Sequence, residues 1–94
     1  MNKQFYVYII TNSKTKPLYI GVTKDLCRKI YEHKNKVADG YSSKYNLTKL
    51  VYFEIFNFIN DAITREKQLK NWHRDWKLNL IKTINPELKE INVS

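Results

Sequence analysis

Apolar and polar positions change period several times along this chain, and each change marks an element. From Phe5 to Ile10, β-branched and aromatic residues run unbroken up to Thr11-Asn12-Ser13, a strand signature. Alternation puts Phe5, Val7 and Ile9 on one face and Tyr6, Tyr8 and Ile10 on the other. Asn12 to Lys16 reads as a hairpin turn, with Pro17 entering the next strand at an edge position. In that strand Leu18, Ile20 and Val22 alternate with Tyr19 and Gly21. Tyr8 and Tyr19 are therefore expected on one sheet face as cross-strand neighbours. Gly21 has no side chain on that face, which is expected to leave room for a ligand at the backbone.

The period then becomes helical. Thr23 or Asp25 can cap a helix over about Leu26 to Val37, with Leu26, Ile30 and Val37 inside an arc of about 40°. His33 and Lys29 fall on one margin of that stripe and Arg28 faces away from it. Asp39 to Ser43 reads as a loop, Leu47 to Ile55 as a third strand, and Asn60 or Asp61 as the cap of a helix to about Lys70. A last helix runs from Trp72 to Ile84, where Asn85-Pro86 stops it. With no repeats and no low-complexity segment, one domain over 1–86 and a loosely held tail over 87–94 are expected. The order β-β-α-β-α-α predicts a small α/β sandwich, a three-stranded antiparallel sheet flanked by helices.

Composition narrows the partner. Seventeen basic residues against nine acidic give a net charge of +8, which suits a polyanion, since each phosphate neutralised releases counterions. The plainer reading is a basic, soluble surface. Cys27 is the single cysteine, so neither an internal disulfide nor a cysteine-rich metal site can form, and a reducing cytoplasm fits. No signal peptide and no long apolar run stands in the sequence, so neither export nor membrane insertion is expected.

Two tyrosine-bearing tripeptides, Tyr6-Val7-Tyr8 and Tyr19-Ile20-Gly21, precede a helix with Lys29 and His33, and Glu66 and Asn85 follow in order. Over about Phe5 to Pro86 this set resembles the GIY-YIG nuclease superfamily, in particular its small, stand-alone, single-domain bacterial branch. The resemblance implies a DNA endonuclease using one Mg²⁺ (or Mn²⁺) ion. It implies Tyr8 and Tyr19 at the attacking water, and His33 orienting the proton relay or contacting phosphate. Lys44 and Tyr45 would touch the substrate backbone, while Lys70 and Asn85 would support the site. With Gly21, Lys67 and Arg74, these give the expected nucleic-acid contacts Gly21, Lys44, Tyr45, Lys67, Lys70 and Arg74.

Glu66 stands out on its own terms as well. It falls about 40° from Ala62 within the apolar stripe of its helix, where a carboxylate must be paired, protonated or bound to a cation. The resemblance makes it the metal ligand; a structural ion pair with a lysine is the other reading. Trp72 and Trp76 have ordinary core spacing, and lysines such as Lys77 and Lys82 can track phosphates without reading sequence.

The departure is Lys29. Ten residues after the YIG tyrosine the family carries an arginine on the scissile phosphate, and lysine keeps the charge but loses the bidentate fork. A slow, structure-selective nuclease acting on branched, flapped or single-stranded DNA is therefore expected. The alternative is a catalytically blunted nucleic-acid-binding module or a repair-complex subunit with the same fold.

Overall fold

β1 (Phe5–Thr11) is buried without interruption from Val7 to Thr11, so both of its faces are covered and both of its edges are paired. The computed structural model describes residues 3–15, 17–35, 40 and 44–93. β2 (Tyr19–Thr23) and β3 (Lys49–Phe56) flank β1, each antiparallel to it, in the order β2-β1-β3. β2 and β3 consequently run parallel to each other, and the connection between them carries α1 (Leu26–Lys34) across one face of the sheet. α2 (Ile59–Asn71) and α3 (Arg74–Lys82) cover the other face. The result is the expected α/β sandwich, and Gly40 and Lys44, between α1 and β3, are helical as well.

Each face has its own core. On the α2–α3 side, Val7, Ile9, Ile20 and Val51 pack with Leu69 and Ile81 of those helices; on the α1 side, Tyr8, Ile10, Leu47 and Leu50 pack with Leu26 and Ile30 of α1. Full burial of one such aliphatic side chain is worth about 1.5–3 kcal/mol. Two clusters of this size hold a sheet of only three strands.

Local chemistry explains most boundaries. In the hairpin turn the Asn12 carbonyl accepts the Thr15 N–H at 3.0 Å, and the Asn12 side chain accepts from Lys14 at 3.1 Å. Asp25, of the two candidate caps, closes α1: its carboxylate accepts the Arg28 N–H at 3.1 Å, while Thr23 Oγ1 accepts the Asp25 N–H. The expected extension of α1 to Val37 and the rest of the expected Asp39–Ser43 loop lie outside the described residues, but Gly40 itself is helical and not loop.

Three boundaries differ from expectation. α2 begins at Ile59 after an extended Phe58 with no side-chain cap, so Asn60 and Asp61 sit inside its first turn. There Asp61 faces the positive end of the helix dipole. Trp72 is extended and ends α2 where a third helix was expected to begin, because its ring lies under the Arg65 guanidinium at 5.2 Å and packs on the core. In β3, Ile9 pairs with Tyr52 but Ile10 with Leu50, so Val51 is an extra residue and both Val51 and Tyr52 turn to the α2–α3 face.

That bulge anchors the end of the chain. The Asn85 side chain donates to the Val51 carbonyl at 2.9 Å and to the Lys89 carbonyl at 2.8 Å, and accepts the Lys89 N–H at 3.0 Å. The Ile91 N–H donates to the Leu50 carbonyl at 2.8 Å, Ile91 and Val93 pack on the α1-side cluster, and Glu90 pairs with Lys34. A second staple joins β3 to α2. Arg65 holds both oxygens of Glu54 at 2.8 and 2.9 Å, and the Tyr52 hydroxyl donates to Glu54 at 2.6 Å. Burial alone would raise the Glu54 carboxyl. The hydrogen bonds from Arg65 and Tyr52 and the charge of Arg65 outweigh it and hold the group below the usual glutamate value. Burial, then the bond to Glu54, pushes the Tyr52 phenol far above its ordinary value.

Candidate active site

Register builds the centre of the site. Tyr8 lies opposite Gly21, and Ile10 lies opposite Tyr19, so the two tyrosines project from the α1 face as diagonal neighbours. A Cβ on Gly21 would stand 2.5 Å from both Cζ and Oη of Tyr8. Glycine is needed there because the Tyr8 ring lies flat across its backbone. This corrects the expectation for Gly21: the room above it holds Tyr8 and not a ligand.

His33 enters from above on α1, in the same inward stripe as Leu26 and Ile30. Its Nε2 lies 3.2 Å from the Tyr8 hydroxyl, and each of the two residues is only 2% exposed. Tyr19 completes the group, its ring centroid 6.5 Å from Tyr8 and 5.8 Å from His33. Half-buried, Tyr19 is the member of this aromatic cluster that solvent reaches.

Glu66 approaches from the other side of the sheet. α2 packs across β1 and β2 through buried Ala62 and Leu69, and Glu66 sits between them with a side chain one-fifth exposed. Its carboxylate pairs with Lys70 at 3.4 Å, one turn later. Lys70 in turn lines a recess of about 270 Å³ at the free edge of β2, together with Leu18, Tyr19, Ile20 and Lys77. The path from Tyr19 to Glu66 thus runs through Lys70, and Lys77 of α3 faces the same recess. Lys77, expected only as a general phosphate contact, reaches this recess because of the corner between α2 and α3.

The remaining candidates scatter. Lys29 pairs with Glu32 at 3.4 Å and faces a different recess, of about 190 Å³, shared with Thr23, Asp25 and Arg28. Arg28 is three-quarters exposed against one-third for Lys29, and it also reaches Glu32, at 3.2 Å. Lys44 lies over the Tyr45 ring at 5.5 Å, and the Tyr45 carbonyl accepts from Asn12, which fixes both beside the hairpin turn. Lys67 is exposed on α2. Arg74 donates to the Thr15 carbonyl and so ties α3 to the hairpin. Asn85 clamps the tail to the bulge through Val51 and Lys89.

Among the described residues no three His, Cys, Asp or Glu side chains converge as a ready-made metal cage. One carboxylate suffices for Mg²⁺ when substrate phosphate and water complete its shell. Glu66 fits that role. Its side chain is mostly buried, set between Ala62 and Leu69, and paired with Lys70, whose own side chain is half exposed.

Residues 4–79 match the GIY-YIG catalytic domain. The chain belongs to the GIY-YIG family. A UPF0213 protein of Clostridium perfringens is similar at 40% identity, over 94% of this chain and 98% of its own length. UPF0213 proteins of Staphylococcus saprophyticus and Haloquadratum walsbyi are 36% and 35% identical, across 81% and 85% of the chain. The solution NMR structure of a UPF0213 protein from Bacillus halodurans superposes with a TM-score of 0.58 at 25% identity, covering 89% of this chain and 88% of the other. The small, single-domain GIY-YIG architecture is therefore shared with these relatives. The GIY-YIG domain is a nuclease-type fold, points to nucleic acid as partner, and is generally used with divalent metal ions. No helix among the described residues is long and apolar enough to cross a membrane.

Proposed function

We propose that this GIY-YIG protein is a metal-dependent DNA endonuclease, selective for branched, flapped or single-stranded structure and not for sequence. The observation that carries the reading is the Tyr8–His33 hydrogen bond, sealed beneath α1, with Tyr19 at its open side. A phenol with a pKa near 10 is a weak base at neutral pH. It becomes effective when its proton can pass onward. As Tyr19 accepts the proton of the attacking water it passes its own hydroxyl proton on towards His33, which Tyr8 holds in place from behind. Tyr8, at 2% exposure, cannot meet the water itself.

Glu66 would hold the divalent ion, which would supply Lewis-acid stabilisation of the developing charge. Lys70, now paired with Glu66, turns to phosphate when that carboxylate is engaged. Lys29 releases Glu32 to reach the phosphate from the α1 side, which costs little because exposed pairs of this kind contribute about 0–1 kcal/mol. Lys44, Tyr45 and Lys67 follow the strand backbone at the rim. An ammonium on a flexible stem at position 29 makes the enzyme slow.

The deciding experiment is Mg²⁺-dependent cleavage of flapped and single-stranded DNA by the wild type and by Glu66→Gln. The variant is expected to keep its fold and its DNA affinity while losing cleavage. Cleavage at the wild-type rate in Glu66→Gln removes Glu66 from the metal site. No cleavage by either protein, with DNA binding intact, favours the blunted binding module, the reading that Lys29 supports.

A further inference from the structure

At the end of the sheet where β1 begins, three open recesses share Lys24 and run into one another, away from the Tyr19 edge. The largest, about 490 Å³, is lined by Lys3, Gln4, Tyr6 and Lys24. The second, about 310 Å³, shares Tyr6 and Lys24 and adds Cys27. The third, about 190 Å³, shares Lys24 and adds Arg28 and Lys29, the residue assigned above to the phosphate. A groove thus leads from Lys29 past the start of α1 to Lys3.

Its charge is positive and uncommitted. Lys3 and Lys24 are exposed, and among the described residues neither is in an ion pair. The two acids along it are engaged: Asp25 caps α1, and Glu32 is shared by Arg28 and Lys29. Between the two lysines lies Tyr6, a half-buried ring held edge-on against Phe53 at 6.2 Å, its hydroxyl donating to Gln4. Cations spaced along a groove with a braced aromatic between them match what an unpaired strand offers, alternating phosphates and free base faces. A duplex presents phosphates but no base face to stack.

We infer that this groove is a second subsite of the nuclease, which carries the single strand that continues from the scissile phosphate. Phosphates lie on Lys24 and Lys3 and one base stacks on Tyr6. This rests on the endonuclease reading, and its test separates the two. Cys27 is the only thiol in the chain, is exposed, and lies in the groove, so its alkylation reports occupancy there. The full chain is treated with iodoacetamide with and without an oligodeoxythymidylate whose binding is followed by fluorescence anisotropy. At about ten times its Kd the unbound fraction falls to about a tenth, so alkylation is expected to slow about tenfold and to recover at high salt. The double variant Lys3→Ala, Lys24→Ala is expected to lose the protection, and the slope of log affinity against log salt should become shallower by about 1.4, at 0.7 per phosphate. A blunt duplex is expected to leave Cys27 reactive. Full oligonucleotide binding with unchanged alkylation overturns the subsite and leaves the nuclease reading standing. Equal protection by the blunt duplex overturns the assignment to a single strand, and no oligonucleotide binding at all sinks both.

Discussion

Replacing Gly21 by alanine adds one methyl group at the most crowded point of the site. The new Cβ would stand 2.5 Å from Cζ and Oη of Tyr8 and 2.9 Å from Cε1, inside any permitted contact. These atoms are the far end of a side chain, which elsewhere could swing aside. Here the ring is 2% exposed, lies between two strands and α1, and is hydrogen-bonded to buried His33. Overpacking a close-packed site costs about 1–3 kcal/mol, and loss of the Tyr8–His33 bond adds about 0.5–1.5 kcal/mol. Gly21→Ala is therefore expected to destabilise by about 2–4 kcal/mol. At about 4–8 °C per kcal/mol for a domain of this size, melting followed by circular dichroism should fall by about 8–32 °C. A double-mutant cycle isolates the cause. Tyr8→Leu vacates the space that the methyl needs, so the double variant should lose about 1–2 kcal/mol less than the sum of the two single losses. A Gly21→Ala protein that melts within about 2 °C of wild type refutes the reasoning. If that protein also lost DNA binding, the space above Gly21 would belong to the substrate after all.

Lys29→Arg restores the planar fork and is expected to raise single-turnover Mg²⁺-dependent cleavage at least about tenfold, about 1.4 kcal/mol of barrier, with little change in affinity; equal rates would mean lysine already serves. Arg28→Ala should leave that chemical step nearly untouched. The Glu54 carboxyl has its folded-state pKa depressed, so its stabilisation is fully present above the unfolded value and is lost as pH falls through the folded one. Acid unfolding should accordingly be steeper below about pH 4.3 in wild type than in Glu54→Gln, and parallel curves would dismiss the Arg65–Glu54 staple. Asn85→Ala removes three hydrogen bonds that fasten the tail. Amide exchange at Ile91 should then accelerate by more than about tenfold, the equivalent of about 1.4 kcal/mol of local stability; unchanged protection would show that Ile91 and Val93 hold the tail by packing alone.

What could be read from residues alone followed from short-range periodicity. Alternation in β1 and β2 suffices to bring Tyr8 and Tyr19 to one face, and the stripe Leu26–Ile30 carries His33 with it on α1. The same arithmetic places Glu66 within the apolar stripe of α2, beside Ala62. The β3 bulge is different. It depends on a partner strand that lies far along the chain, and nothing in the run Leu50-Val51-Tyr52 marks Val51 as the extra residue. The Glu54–Arg65 pair was hidden for the same reason, as was the approach of Lys77 to Tyr19. Gly21 was misread because an absent side chain looks like empty space until the neighbour that fills it is known. Asn85 was legible as a helix stop, whereas its grip on Val51 and Lys89 needed the bulge to turn a carbonyl outward.

The strand order β2-β1-β3 has a kinetic consequence. The first strand made is the middle one, and it closes with β2 through a short hairpin. Its other edge waits for residues roughly 40 to 50 positions further on, since Thr11 pairs with Lys49 and Phe5 with Phe56. Until β3 arrives, the edge of the most apolar strand in the chain stays open to any passing chain. Because Ile91 and Asn85 grip β3 at Leu50 and Val51, the final segment can settle only once that strand is seated. A fast hairpin phase followed by slow closure of the β1–β3 seam is the expected order of folding, with aggregation competing during the interval between them.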